Sequence, residues 1–202
     1  MGDKWTLLIV RDLVCGPRRF VELQRVLPGI STEQLRSRLN RMVADGLLTR
    51  QRYREVPPRV DYELTERARD LVPVIAELSR WGLRWAWGQP RPREAIDVGA
   101  VLRAAYGLCG GGPGAEGVVE LRVDDRSFWL ALGEHGASLS EEAPADDPDA
   151  VIAGGEADWI AALGPEGRTA RLGVEGEPAL VERALSAFAP GAASGRAAEH
   201  VA

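Results

Sequence analysis

Cysteine and histidine are nearly missing from this 202-residue chain, which has two of each. Cys15 and Cys109 lie far apart and form no CxxC pair. That excludes a disulfide scaffold and a cysteine zinc site, and it fits a reducing cytoplasm. His135 falls in an expected turn, "GEHGA", and His200 in the tail. Neither sits at metal-ligand spacing, and no nucleophile has a plausible base nearby. Long apolar runs are missing too: nothing approaches the ~20 residues of a membrane span. The early run "WTLLIV" follows Asp3 and Lys4 and lacks the pattern of a secretory leader. "CGGGPG" from Cys109 precedes a strand pattern and carries no Lys-Ser/Thr. It reads as a flexible loop, not a phosphate cradle. The acidic run "EEAPADDPD" lacks the ligand spacing of a calcium loop and reads as solvated. The expectation is no enzyme, no cofactor, no metal and no membrane.

What is present is a split in charge. The formal net charge is −5. Met1 to Gly88 hold 16 Lys/Arg against 11 Asp/Glu, or +5; the rest holds 9 against 19, or −10. A basic half followed by an acidic half predicts two domains with different partners. Two unlike surfaces of one domain is the alternative. "GQPRPREAID" from Gly88 has two prolines and strong polarity, the composition of a linker. The expected organisation is a first domain over 1–88, a linker over 89–94 and a second domain over 95–188. The tail over 189–202, small and polar, is expected to be disordered.

The first half reads as helices and then a hairpin. "KWTLLIVRDLV" places Trp5, Leu8, Ile9 and Leu13 at helical spacing, with Asp12 on the far side. Gly16-Pro17 stops that helix. "RRFVELQRVL" predicts a second helix burying Phe20, Leu23 and Leu27. Ser31 is a good N-cap, and Gln34 three residues on completes a capping box. Leu35, Leu39, Met42 and Val43 form the buried stripe of the third helix, and Gly46 its left-handed C-cap.

The face opposite that stripe carries Glu33, Gln34, Ser37, Asn40 and Arg41, with Arg36 and Arg38 on its flanks. A short helix, a tight turn and a helix with a basic outer face is the helix-turn-helix arrangement. An ordinary solvated face is the bland alternative. Ser31 and Thr32 at the helix start suit phosphate. Gln34, Ser37 and Arg41 suit base edges, and Arg38 either one. "LLTRQRYREVPPRVDYELT" follows as two strand-like runs around a Pro-Pro turn, with Val60, Tyr62 and Leu64 alternating with Asp61 and Glu63. A basic hairpin after a helix-turn-helix is a wing, and Arg52, Arg54 and Arg59 are its expected contacts to the DNA backbone.

Together "GDKWTLLIVRDL", "GPRRF", "PGIS", "RMVADGLL" and "PPRVDYELT" resemble, in order, the HxlR family of bacterial winged-helix regulators, relatives of the MarR group. The resemblance covers Met1 to Gly88. It implies a homodimeric transcriptional regulator without catalytic activity, bound to double-stranded DNA. Members usually carry a further helix before the GDKW segment, often with a cysteine that senses electrophiles or oxidants. This sequence starts at that segment, so thiol sensing is not carried over, and the dimer is expected to lack that helix's contribution. Cys15 then reads as a small buried apolar residue. The helix after Thr65, through Trp87, is the expected dimer element. Leu71, Leu78 and Trp85 form one seam, Val74 and Trp81 another, and Pro73 should kink it. The tryptophans mark an interface with a second subunit or with the following domain.

The second half reads as an α+β sandwich, helices on one face of a sheet. Val119, Leu121 and Val123 alternate with Glu120 and Arg122; Phe128, Leu130 and Leu132 alternate with Trp129 and Ala131. "DPDAVIAGGEADWIAAL" and "LGVEGEPALVERALSAF" each predict a short strand and a helix. That order resembles the sterol-carrier-protein-like fold over about Ala95 to Phe188. The resemblance implies an apolar ligand between sheet and helices, in a pocket lined by Phe128, Leu130, Leu132, Trp159 and Leu163. A filled core is the alternative. The whole is an α+β chain: a winged helix-turn-helix domain followed by a sterol-carrier-like sandwich. The leading function is a cytoplasmic, homodimeric transcriptional regulator on a pseudo-palindromic operator. Two rivals are a lipid carrier whose first half only dimerises, and a regulator whose second domain binds another protein.

Overall fold

The computed structural model describes residues 4–54, 59–88, 96–109, 114–164 and 167–188. The expected linker over 89–94, the Pro57-Pro58 turn, most of the glycine-rich loop and the tail lie outside the described residues. By its contacts the chain divides into two compact units, Met1–Ile75 and Ala76–Ala202.

The first unit packs α1 (Lys4–Leu13), α2 (Phe20–Val26) and α3 (Thr32–Ala44) against a small sheet of β2 (Leu48–Tyr53) and β3 (Arg59–Leu64). Ile9, Val10, Leu13, Leu23, Leu27, Leu35, Leu39, Met42, Leu48 and Leu64 form its core. Asp12, expected on the far side of α1, is fully buried. Arg11 holds its carboxylate at 3.1 and 2.8 Å, which offsets much of the cost of burying a charge. Arg18 and Arg19, expected to open α2, form a two-residue strand, β1, paired with Tyr62 and Asp61 of β3. β3 is therefore the central strand. This breaks the simple alternation: Asp61 and Tyr62 are both buried.

α3 is closed at both ends as its sequence predicts. Ser31 Oγ accepts the Gln34 N–H at 3.1 Å, and Gln34 Oε1 accepts the Ser31 N–H at 3.2 Å. At the other end Leu47 N–H donates to Met42 O and Gly46 N–H to Val43 O, with Gly46 at φ 70°. Two carbonyls of the last turn are so satisfied, in a conformation glycine adopts without strain.

The helix expected from Thr65 is interrupted. α4 (Glu66–Arg69) ends at Asp70, and α5 runs from Val72 to Trp85. Pro73 does not kink a continuous helix. It sits in the first turn of a new one, where its missing N–H costs nothing. The division between the units falls within α5, at Ile75/Ala76.

The second unit opens with α6 (Val98–Ala105). Then come β4 (Gly117–Val123), β5 (Arg126–Gly133), β6 (Gly136–Ser140), β7 (Ala150–Gly154), α7 (Glu156–Leu163), β8 (Gly173–Gly176) and α8 (Pro178–Phe188). The sheet order is β6-β5-β4-β7-β8. Every neighbouring pair is antiparallel except β4 and β7, which run parallel. A parallel pair needs a crossover, and the acidic run after β6 supplies it. That run is more than a solvated loop: Glu141 binds Arg103 at 2.7 Å, and Asp149 accepts the Val118 N–H at 2.8 Å. Val119, Leu121, Val123, Phe128, Leu130, Leu132 and Ile152 are buried, each two residues from the next along its strand, so they share the face α8 covers.

Candidate nucleic-acid interface

Opposite its buried stripe, α3 exposes Ser31, Thr32, Gln34, Arg36, Ser37, Asn40 and Arg41, while Arg38 is half-buried. Five of the exposed residues already have intramolecular work. The capping box uses the Gln34 carbonyl oxygen, so its amide N–H groups are what remains to face outward. Ser31 Oγ accepts one bond and keeps its hydroxyl proton to give. Thr32 Oγ1 accepts from Gln24 Nε2 at 2.7 Å, which ties α2 to the start of α3. Arg41 leans on Asp45 at 3.4 Å and Arg36 on Glu33 at 3.1 Å. Both pairs are exposed, so exchanging either carboxylate for another anion costs little.

The wing sorts its arginines by strand alternation and register. Leu48, Arg50 and Arg52 share one face of β2, paired with Leu64, Tyr62 and Val60 of β3. Arg52 and Arg54 are exposed and make no ion pair among the described residues. Arg59 differs. Its guanidinium binds the buried Asp61 carboxylate at 2.7 Å and lies over the Tyr53 ring at 5.2 Å. It braces the wing.

Three residues belong with this face that sequence reasoning left out of the site. Arg36, Asn40 and Arg50 line a cleft of about 310 Å³ together with Phe20, Val60 and Tyr62. The signal was available in part: Arg36 and Asn40 are four apart on a helix, and Arg50 precedes Arg52 by one strand repeat. What joins them is the packing of the hairpin beside α3.

The residues expected to line an apolar pocket are elsewhere, in the second unit. Phe128, Leu130, Leu132, Trp159 and Leu163 are all buried. Trp159 Nε1 donates to Arg122 O at 2.8 Å, which satisfies its only polar group. Cys109 is buried as well, and burial pushes its thiol up to about 12. Among the described residues no three His, Cys, Asp or Glu side chains cluster as a metal site would require, and no helix is long and apolar enough to cross a membrane.

A capped, basic helix after a short helix, followed by an arginine-bearing hairpin, defines the winged helix-turn-helix class. Residues 1–89 match the HxlR-like helix-turn-helix family. The HTH-type transcriptional regulator YkvN of Bacillus subtilis is 40% identical over 82 residues, 41% of this chain and 70% of that protein. The chain belongs to the HxlR-like helix-turn-helix family. The HTH-type transcriptional regulator sll1512 of Synechocystis is 40% identical over 85 residues, but they span only 63% of its length and 42% of this chain. Among solved structures, the redox regulator HypR in its reduced form is 37% identical over 40% of this chain and 80% of its own, with a TM-score of 0.39.

Proposed function

We propose that this chain is a DNA-binding transcriptional regulator. It is non-catalytic and cytoplasmic, and it acts as a homodimer on a pseudo-palindromic operator. The observation that carries this reading is the concentration of exposed Arg36, Arg41, Arg50, Arg52 and Arg54 on α3 and the wing, in a chain whose net charge is negative. A face that only dimerised would need none of them. Ser31 and Thr32 hold phosphate at the start of α3, Gln34, Ser37 and Arg41 approach base edges, and Arg38 serves either. Arg52 and Arg54 hold the backbone. Arg59 joins them from β3.

Residues 95–188 are proposed as a sterol-carrier-like domain that takes an apolar ligand between sheet and helices. The order supports this: a helix, a three-strand meander, a crossover strand, a helix, an edge strand and a closing helix. Phe128, Leu130 and Leu132 from β5 and Trp159 and Leu163 from α7 supply the apolar lining, and a ligand has to part the helix from the sheet to reach it. Titration with fatty acids and sterols should change tryptophan fluorescence and raise the melting temperature. If neither moves, the domain has another role.

The DNA reading is tested by fluorescence anisotropy on duplexes flanking the gene, at several salt concentrations. Arg41→Ala should cost about 1–3 kcal/mol on the operator and relax preference at one base position. Arg54→Ala should weaken specific and non-specific duplexes alike, and lower the magnitude of the salt slope by roughly 0.9 for each phosphate no longer neutralised. A wild-type protein with no salt-dependent binding to any duplex refutes the proposal.

A further inference from the structure

We infer that the open edge of β5 docks a basic, extended segment of a partner protein, which adds to the sheet in line with β6 and sets an arginine between Asp125 and Trp129. The inference goes beyond the DNA-binding and apolar-ligand readings and depends on neither. A cleft of about 360 Å³ lies at the start of β5, lined by Asp125, Arg126, Ser127, Phe128, Trp129 and Glu141. Backbone pairing explains it. Val123 and Arg126 close the two-residue turn between β4 and β5, and residues that close so short a turn exchange both hydrogen bonds. Alternation then points the N–H and C=O of Ser127 and Trp129 away from β4, toward the β6 side. Trp129 meets Ser140 there, the last residue of β6. The same register would bring Glu142 opposite Ser127. Glu142 N–H instead donates to Ser140 Oγ at 2.9 Å, and the chain turns off. Ser127 therefore keeps a main-chain donor and acceptor facing the cleft, with no strand opposite them among the described residues.

The side chains select what pairs there. Arg126 is already engaged: it binds Asp97 at 3.3 Å and lies over the Phe128 ring at 5.1 Å. Glu141 binds Arg103 at 2.7 Å, and Ser127 Oγ donates to Glu120 at 2.6 Å. Asp125 is exposed and makes no ion pair among the described residues, and the half-buried Trp129 ring carries no cation. These two stand two residues to either side of Ser127, so a side chain opposite Ser127 has both as diagonal neighbours. A guanidinium suits the pair, since it binds a carboxylate through its fork and lies flat on an indole. A free guanidinium compound would use those side chains and leave the Ser127 main chain unpaired. A neutral strand would do the reverse. A strand with arginine at that place meets both demands, which is strand addition with one side-chain anchor. The acidity of the second half, 19 Asp/Glu against 9 Lys/Arg, draws a basic partner toward it.

The test uses the full chain and the peptide acetyl-Thr-Val-Arg-Val-Thr-amide, read by calorimetry and by amide and indole N–H chemical shifts. Saturable binding is expected, with shifts at Ser127 and Trp129. Methylating the main-chain nitrogen of the peptide's arginine removes its bond to Ser127 O and should weaken binding about tenfold. Glutamine in place of that arginine should weaken it about fivefold, and so should Asp125→Asn in the protein. Asp146→Asn, an exposed acid of the crossover outside the cleft, should leave it unchanged, and both variants should keep the wild-type melting temperature. Acetyl-arginine amide should not displace the peptide at equal concentration. Absent binding of the parent peptide overturns the site. Equal binding of the N-methyl peptide, or displacement by the single amino acid, overturns strand addition. Equal binding of the glutamine peptide, or a loss in Asp146→Asn as large as in Asp125→Asn, overturns the arginine assignment. A peptide that breaks up self-association of the chain in sedimentation makes the occupant a second copy and overturns a separate partner.

Discussion

The exposed stripe of α5 makes the most quantitative demand on the proposed homodimer. Val74, Leu78, Trp81 and Trp85 are spaced four, three and four apart, so they lie on one helical face. Their exposures are 49%, 52%, 61% and 67%. Soluble monomers rarely leave such a contiguous apolar strip in water. A tryptophan side chain can bury up to about 250 Å². At its present exposure Trp81 therefore has about 150 Å² left to cover, roughly 4 kcal/mol of gross transfer energy. Side-chain ordering and imperfect packing consume part of that. A net cost of about 2 kcal/mol per truncated anchor is the reasonable expectation. A two-fold interface carries the change twice, so Trp81→Ala should weaken the dimer by about 4 kcal/mol, close to three decades in Kd. Sedimentation equilibrium from nanomolar to micromolar protein measures it directly. Because Trp81 is exposed, the monomeric variant should keep its circular dichroism spectrum. A wild-type protein that is monomeric at micromolar concentration, or a Trp81→Ala variant with wild-type association, refutes the reasoning.

Three further outcomes follow from the geometry. Ser31→Ala removes the acceptor for the Gln34 N–H and should cost about 1 kcal/mol, read as a lower denaturation midpoint; no change would mean that the cap does not stabilise α3. In the second unit, burial raises the Asp97 carboxyl, but the Arg103 and Arg126 guanidiniums outweigh it and hold it below its ordinary value of 3.8. A depressed carboxyl stabilises the fold fully above that value and loses the contribution as pH falls through the lower, folded one. Asp97→Asn should therefore flatten the acid limb of the melting profile, and an acid limb as steep as wild type would count against the pairing. Cys109, with its thiol pushed up to about 12 by burial, should resist iodoacetamide in the native protein at pH 8 and react once unfolded; rapid native alkylation seen by mass spectrometry would contradict that burial.

Much of the first unit was legible because its rules are local. A capping residue, a 3.6-residue apolar stripe and a glycine C-cap act over one or two turns, and α3 has all three. The strands of the second unit were legible for the same reason, since alternation along a strand needs no partner. The failures are equally physical. Asp12 and Asp61 look like surface residues because a sequence does not show that Arg11, Arg19 and Arg59 will meet them in the interior. Arg18 and Arg19 look like the start of a helix because strand pairing with Tyr62 and Asp61 is a distant choice. Arg103, on which the sequence carries no local sign of burial, is buried between Asp97 and Glu141.

The helix-turn-helix and its wing, the two-part charge division and the apolar faces of most elements are therefore properties of the sequence alone. Each follows from the order of residue types over a few positions, where sterics and hydrogen-bond periodicity decide. Folding in three dimensions was needed to pair β4 with β7 in parallel, to pair Arg18 and Arg19 with Tyr62 and Asp61, and to bring Arg36, Asn40 and Arg50 into one cleft with Tyr62. Those facts depend on which surfaces meet after the elements form, and residues far apart in the chain carry no local record of that meeting.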